Sequence, residues 1–66
     1  MTDRELLRLA RTELTPLEFD VWFANTYRGL GRHAGSVDLR ITEARWRARL
    51  TSARLKIAQA LDERAA

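Results

Sequence analysis

The 66-residue chain has no cysteine, one proline, one histidine and no long apolar run. Without cysteine it can form neither disulfides nor thiolate metal sites. Because its apolar runs are too short for a membrane span or a signal-peptide core, we expect a cytoplasmic protein. The chain is 45% hydrophobic and 32% charged, which indicates a globular protein. This length predicts a single domain over residues 1–66, near the size at which one core is just sufficient.

Charge is divided unevenly along the chain. Residues 1–24 hold three arginines against five acids, whereas residues 25–66 hold nine basic residues against four acids. The second part can therefore attract phosphates. Eleven of the twelve basic residues are arginine, which suits bidentate contact with phosphate or carboxylate and is equally typical of a GC-rich genome.

The clearest helix start lies at residues 14–19. Thr15 is a typical N-cap, and Pro16 follows at the first helical position. Glu18 stands three residues after the cap and closes a capping box, while Leu14 and Phe19 form a hydrophobic staple. We therefore expect a second helix to begin here, after a first helix over about residues 3–14.

This second helix is apolar on two sides, as a spacing of about 100° per residue shows. Three aromatic side chains project to one side: Phe19, Trp22 and Phe23. Three smaller apolar side chains project to the other: Leu17, Val21 and Ala24. One side should pack into the core, and the other is free for the first helix or for a partner.

The first helix opens with its own capping box, formed by Thr2 and Glu5. Four apolar residues of this helix fall within one arc, which predicts a buried face: Leu6, Leu7, Ala10 and Leu14. Arg4, Arg8 and Arg11 cluster on the opposite side. We interpret this arginine row as a solvated face.

The apolar period changes between residues 26 and 41, which predicts a two-stranded hairpin. The strands are 26–30 and 36–41, joined by a glycine-rich turn, with Val37, Leu39 and Ile41 facing inward. His33 falls in that turn without other metal ligands at suitable spacing, so we expect an exposed loop histidine. The predicted fold is α+β, a helix-helix-β-hairpin-helix domain.

A third predicted helix begins after the N-cap Thr42 and runs to about residue 64. Its inward stripe is Trp46, Leu50, Ala53, Ile57 and Leu61. Leu55 projects away from that stripe on a straight helix. Either the helix breaks near residues 51–52, with Ser52 capping the second piece, or Leu55 is an exposed contact; the break is the favoured interpretation.

Five basic residues lie in the same helix: Arg45, Arg47, Arg49, Arg54 and Lys56. Such a set can hold the backbone of a single-stranded nucleic acid, or it can be merely solvated. Trp46 either stacks on a base or fills the core. Both pairs of interpretations stay open at the level of the sequence.

Catalytic chemistry is not indicated. The chain has no cysteine and one histidine, and its serines and threonines occupy cap and turn positions. The glycines do not match a phosphate-cradling loop. We therefore expect a non-enzymatic protein with no catalytic, cofactor-binding or metal-binding residues.

The element order and several motifs resemble the N-terminal domain, domain I, of the bacterial replication initiator DnaA, a KH-like fold. A leucine-rich first helix precedes Phe19, Trp22 and Phe23, and alternating aliphatics at 37–42 lead straight into a helix over 46–61. The resemblance implies a docking module for the replicative helicase or a regulator. It also implies weak self-association and, in some members, contact with single-stranded DNA.

Family contact positions carry over onto this chain by spacing. Glu18 matches an acidic contact position in helix 2, and Arg45 or Trp46 matches a contact position at the start of helix 3. The resulting contact surface is Leu17, Glu18, Val21, Arg45 and Trp46. The alternatives are a single-stranded nucleic-acid binder using the five basic residues of the third helix, or a self-associating structural domain.

Three departures from the family pattern are visible. The third family strand has no counterpart, Thr42-Glu43 replaces the Pro-Asn that commonly opens helix 3, and the first helix lacks an aromatic residue near its start. The resemblance therefore implies that the chain is either an excised domain or a small stand-alone relative of the initiator.

Overall fold

A computed structural model describes residues 1–65 and places four α-helices in them. The helices are α1 (Asp3–Glu13), α2 (Pro16–Tyr27), α3 (Arg32–Leu39) and α4 (Glu43–Ala65). No strand occurs among residues 1–65. The α+β prediction with its β-hairpin is therefore wrong, and the domain is all-helical.

Helix α3 occupies the place of the predicted turn and second strand. Gly35 and Ser36 face inward and are buried, whereas Val37, expected to face inward, is 64% exposed. Leu39 and Ile41 do reach the core, as predicted. The alternation of Val37, Leu39 and Ile41 in the sequence resembled a strand, although only the last two face inward. His33 is exposed as predicted, but it lies on α3 rather than in a loop.

The predicted first strand is also absent. Helix α2 continues to Tyr27, and residues 28–31 form a loop that Gly29 turns with a φ of 68°. The Asn25 amide holds this loop by donating to the Leu30 carbonyl over 3.0 Å. The loop is thus tied back onto α2 instead of pairing with a second strand.

The predicted helix starts are confirmed. Thr2 and Thr15 each accept a hydrogen bond from the backbone N–H three residues on, and the glutamate there closes a capping box in both cases. Thr42 accepts from the backbone N–H of Arg45 over 3.1 Å. Local side-chain chemistry therefore determines where α1, α2 and α4 begin.

Helix α2 lies between two hydrophobic clusters, so both of its apolar sides are used. The first cluster joins it to α1 and α4: Ala10, Leu14, Trp22, Ala53 and Ile57 are buried there. The second joins it to α4 and the chain around α3: Val21, Ala24, Trp46 and Leu50 are buried there. Both apolar sides of α2 that the sequence showed are therefore packed against other elements of the domain itself.

Helix α4 is unbroken over 23 residues. At 1.5 Å per residue it is about 34 Å long, nearly the 37 Å length of the molecule. The favoured break at 51–52 is wrong: Leu55 projects outward and is 57% exposed. Ser52 caps nothing, since its hydroxyl donates to the Glu18 carboxylate. None of the helices in the described part is long and apolar enough to cross a membrane.

Candidate nucleic-acid interface

The five residues predicted to form a protein-docking surface do not share one in this structure. Glu18, Val21 and Trp46 are buried, with Glu18 only 3% exposed and Trp46 only 2% exposed. Leu17 is partly covered by the second cluster, and Arg45 is exposed. The surface that the resemblance implied is therefore mostly interior.

Glu18 instead links α2 to α4. Its carboxylate accepts from Lys56 Nζ over 2.8 Å and from the Ser52 hydroxyl, and Oε1 also accepts from the Thr15 backbone. Burial opposes ionisation, but the hydrogen bonds from Lys56, Ser52 and Thr15 outweigh it and lower the pKa of Glu18 from 4.5 to about 2. Glu18 is thus a charged internal contact between two helices.

Two of the five basic residues predicted to contact nucleic acid are engaged with α2. Lys56 is paired with Glu18. Arg54 donates to Asn25 Oδ1 over 2.9 Å, and the amide of the same asparagine holds the loop before α3. These two side chains have structural partners, so they contribute less than the others to an open basic surface.

The remaining three, Arg45, Arg47 and Arg49, are exposed. Within residues 1–65 no carboxylate pairs with any of them. Arg40, just ahead of α4, is likewise exposed and unpaired in this part of the chain. Sequence reasoning singled out the three residues of α4 but missed Arg40, which lay in a predicted strand.

Nearby carboxylates are already occupied. Residues 28–49 hold six arginines and two acids, Asp38 and Glu43. Asp38 pairs with Arg28 at 2.7 Å, and Glu43 pairs with Arg32 at 2.9 Å and with His33 at 3.2 Å. The hydrogen bond from His33 and the charge of Arg32 lower the pKa of Glu43. This end of the domain therefore carries a surplus of positive charge.

The unbroken helix determines how the arginines are arranged around α4. At about 100° per residue, Arg45 and Arg49 lie along one flank, and Arg47 lies about half a turn away on the other. Over its first two turns, the strip between the flanks carries small exposed side chains, Ala44, Ala48 and Thr51, and the exposed Leu55 follows them on the same strip. Two basic edges thus border a surface that has little side-chain bulk as far as residue 51.

Base stacking is not available at this surface. Trp46 packs against Gly35 in the interior. The other four aromatic residues, Phe19, Trp22, Phe23 and Tyr27, belong to α2 and contact one another there. The interpretation of Trp46 as a core residue is confirmed.

A second feature is an open depression where α1 meets α2. Its volume is about 270 Å³, and it is lined by Arg11, Leu14, Pro16, Phe19 and Asp20. The Arg11 guanidinium lies 4.7 Å from the centre of the Phe19 ring, a cation–π contact. The depression combines apolar walls with one charge of each sign.

Across the described residues, no group of three or more histidines and acids could hold a metal ion. No family model, curated protein or solved structure matches the chain.

Proposed function

We propose that this domain is a non-enzymatic binding module whose basic helix α4 contacts the phosphate backbone of a nucleic acid. The observation that carries the proposal is that Arg45, Arg47 and Arg49 are exposed and unpaired while both neighbouring acids are neutralised by other side chains. Guanidinium groups bind phosphate through two parallel hydrogen bonds. A surplus of free guanidinium groups at one end of a small domain favours a polyanion as partner.

Binding should be dominated by phosphate contacts rather than by recognition of bases. The buried Trp46 leaves no aromatic side chain beside the arginines to stack on a base. Each phosphate neutralised then contributes about −0.7 to the log–log salt slope for a single strand and about −0.9 for a duplex. Three contacts predict a slope of roughly −2 to −3.

Fluorescence anisotropy of a labelled oligonucleotide, titrated with the full chain at increasing salt, tests this proposal. Replacing Arg45, Arg47 or Arg49 with glutamine should weaken binding and reduce the salt slope by about 1 each. Arg8→Gln is the matched control, because Arg8 is an exposed arginine on α1. Absence of binding at low salt, or equal losses for Arg8 and the three α4 residues, would overturn the proposal.

A second candidate is docking of a replicative helicase or replication regulator, as the resemblance to DnaA domain I implies. The depression at the α1–α2 junction favours it, since Leu14, Pro16 and Phe19 line an open concavity that an apolar side chain of a partner can enter. Helix α2 is also the element that carries the residues of the resemblance.

An NMR titration of the labelled domain with a purified bacterial replicative helicase tests the second candidate. Signals around Asp20 and Arg11 should change, and Asp20→Lys should weaken the interaction. Glu43→Lys is the control, because it makes the same charge change away from α2. If Asp20→Lys and Glu43→Lys behave alike, the depression is not the docking site.

A further inference from the structure

We propose that the nucleic acid is double-stranded, and that the amino-terminal half of α4 lies in its major groove with arginines against both phosphate walls. This inference rests on the proposed function and specifies the class of nucleic acid. It follows from the shape of the free face of α4, which is the exposed strip between its two arginine flanks, and from the positions of the unpaired arginines along that strip.

The free face allows close approach of the helix backbone. As far as residue 51 its centre is formed by Ala44, Ala48 and Thr51, which are exposed and extend little beyond Cβ and Cγ; the larger Leu55 comes only after them. A helix is about 10–12 Å across with its side chains, and the major groove of B-DNA is about 12 Å wide. A centre of small side chains therefore lets α4 enter the groove instead of resting on its rim.

The two flanks favour a duplex over a single strand. Arg45 and Arg49 stand on one flank and Arg47 on the other, so the guanidinium groups face opposite directions across the free face. A single strand presents one row of phosphates and meets one flank. A duplex presents a row on each side of its groove, and all three arginines can then contact phosphate together.

The lack of an exposed aromatic residue on α4 also favours a duplex over a single strand. Single-strand sites combine a basic groove with aromatic side chains on which bases stack. At α4 the one aromatic residue, Trp46, is 2% exposed and faces the interior. The site therefore lacks the interaction from which a single strand gains most.

Charge also limits the contact to one half of the helix. Asp62 lies on the same free face as Ala48, and Glu63 follows it. These acids repel phosphate near the carboxyl end of α4. The groove contact thus extends from residue 44 to about residue 51, ahead of the exposed Leu55 and of these acids.

The test compares a labelled duplex, one of its own strands and heparin as a polyanion without a groove, each titrated with the full chain by fluorescence anisotropy. The duplex should bind roughly tenfold tighter than its strand, because at least one more arginine reaches a phosphate and each such charge-assisted contact is worth about a factor of ten. Ala48→Trp should remove that preference while leaving heparin binding unchanged. Ala58→Trp is the matched control, since residue 58 is exposed on the same helix beyond Arg45, Arg47 and Arg49.

The outcomes distinguish failure of groove docking from failure of phosphate binding itself. Equal affinity for duplex and strand, or an Ala48→Trp variant that keeps the duplex preference, overturns groove docking but leaves phosphate binding in place. Failure of the unmodified chain to bind all three probes at low salt overturns the proposed function as well. Sedimentation showing a dimer that Ala48→Trp dissociates assigns this face to a second copy and overturns groove docking.

Discussion

The indole ring of Trp46 lies against the backbone of Gly35, where α3 presents no side chain. A Cβ at position 35 would overlap Cη2, Cζ3 and Cζ2 of the ring. Trp46 is buried on α4, so this contact holds α3 on the second hydrophobic cluster. The absence of a side chain at one residue therefore allows the largest side chain of that cluster to pack.

Gly35→Ala should lower the free energy of unfolding by about 1–3 kcal/mol, because the ring or α3 must move to accommodate the methyl group. Urea titration followed by tryptophan fluorescence measures the change. Gly31→Ala is the control, since a Cβ there meets no atom within 4 Å, and it should change stability by less than about 1 kcal/mol. Equal stability of the two variants would contradict the packing described.

Glu18→Gln should destabilise the domain at neutral pH by about 1–3 kcal/mol, because a neutral amide binds Lys56 more weakly than a carboxylate does. The folded-state pKa of Glu18, about 2, lies below its ordinary value of 4.5. The carboxylate therefore contributes its full stabilisation above pH 4.5, and that contribution is lost as the pH falls towards 2.

Urea midpoints of the unmodified chain and Glu18→Gln, compared at several pH values, check this dependence. The difference should be largest near pH 7 and shrink below about pH 4.5. Asp20→Asn supplies a control at an exposed acid of the same helix. A difference that stays constant down to acidic pH would show that the loss is steric rather than ionic.

Truncation to alanine should barely change stability at Leu55 and should lower it strongly at Ile57. Leu55→Ala removes an exposed side chain and should change stability by less than about 0.5 kcal/mol. Ile57→Ala removes a buried side chain of the first cluster and should cost about 2–5 kcal/mol. Thermal melts by circular dichroism distinguish the two, and a large loss at Leu55 would indicate that α4 bends there after all.

Arg40→Gly should stabilise the domain by about 1 kcal/mol. Arg40 adopts a left-handed conformation, with φ 57° and ψ 44°, immediately after α3. Glycine adopts this conformation without the clash that a Cβ causes. Arg40→Ala keeps the Cβ and should bring no such gain, so equal unfolding midpoints for the two variants would contradict the prediction.

Local signals in the sequence predicted the helix starts. The capping boxes at Thr2 and Thr15 and the cap at Thr42 depend on residues three positions apart, so they can be read without knowing the fold. The inward stripe from Trp46 to Ile57 follows from helical spacing in the same way, but its predicted last member was wrong: Leu61 is 37% exposed and Ala60 is buried instead. These features are determined within one or two helical turns.

Features that depend on distant residues could not be predicted. Helix α3 contains Gly35 and Val37, which disfavour a helix in isolation, and its packing on Trp46 overrides that preference. The sequence placed Glu18 on a contact surface, and its burial could not be foreseen because its partner Lys56 lies 38 residues further along the chain. For the candidate site, the sequence indicated the five basic residues of the last helix, but only the structure separates the free guanidinium groups from Arg54 and Lys56.

The position of α2 between two clusters has a consequence for how the domain opens. Helices α2 and α4 contribute buried residues to both clusters, whereas α1 contributes to the first and the chain around α3 to the second. Either peripheral helix can detach while the opposite cluster stays intact. Amide hydrogens of α2 and α4 should then exchange only when the whole domain unfolds, and those of α1 and α3 through separate, lower-energy openings.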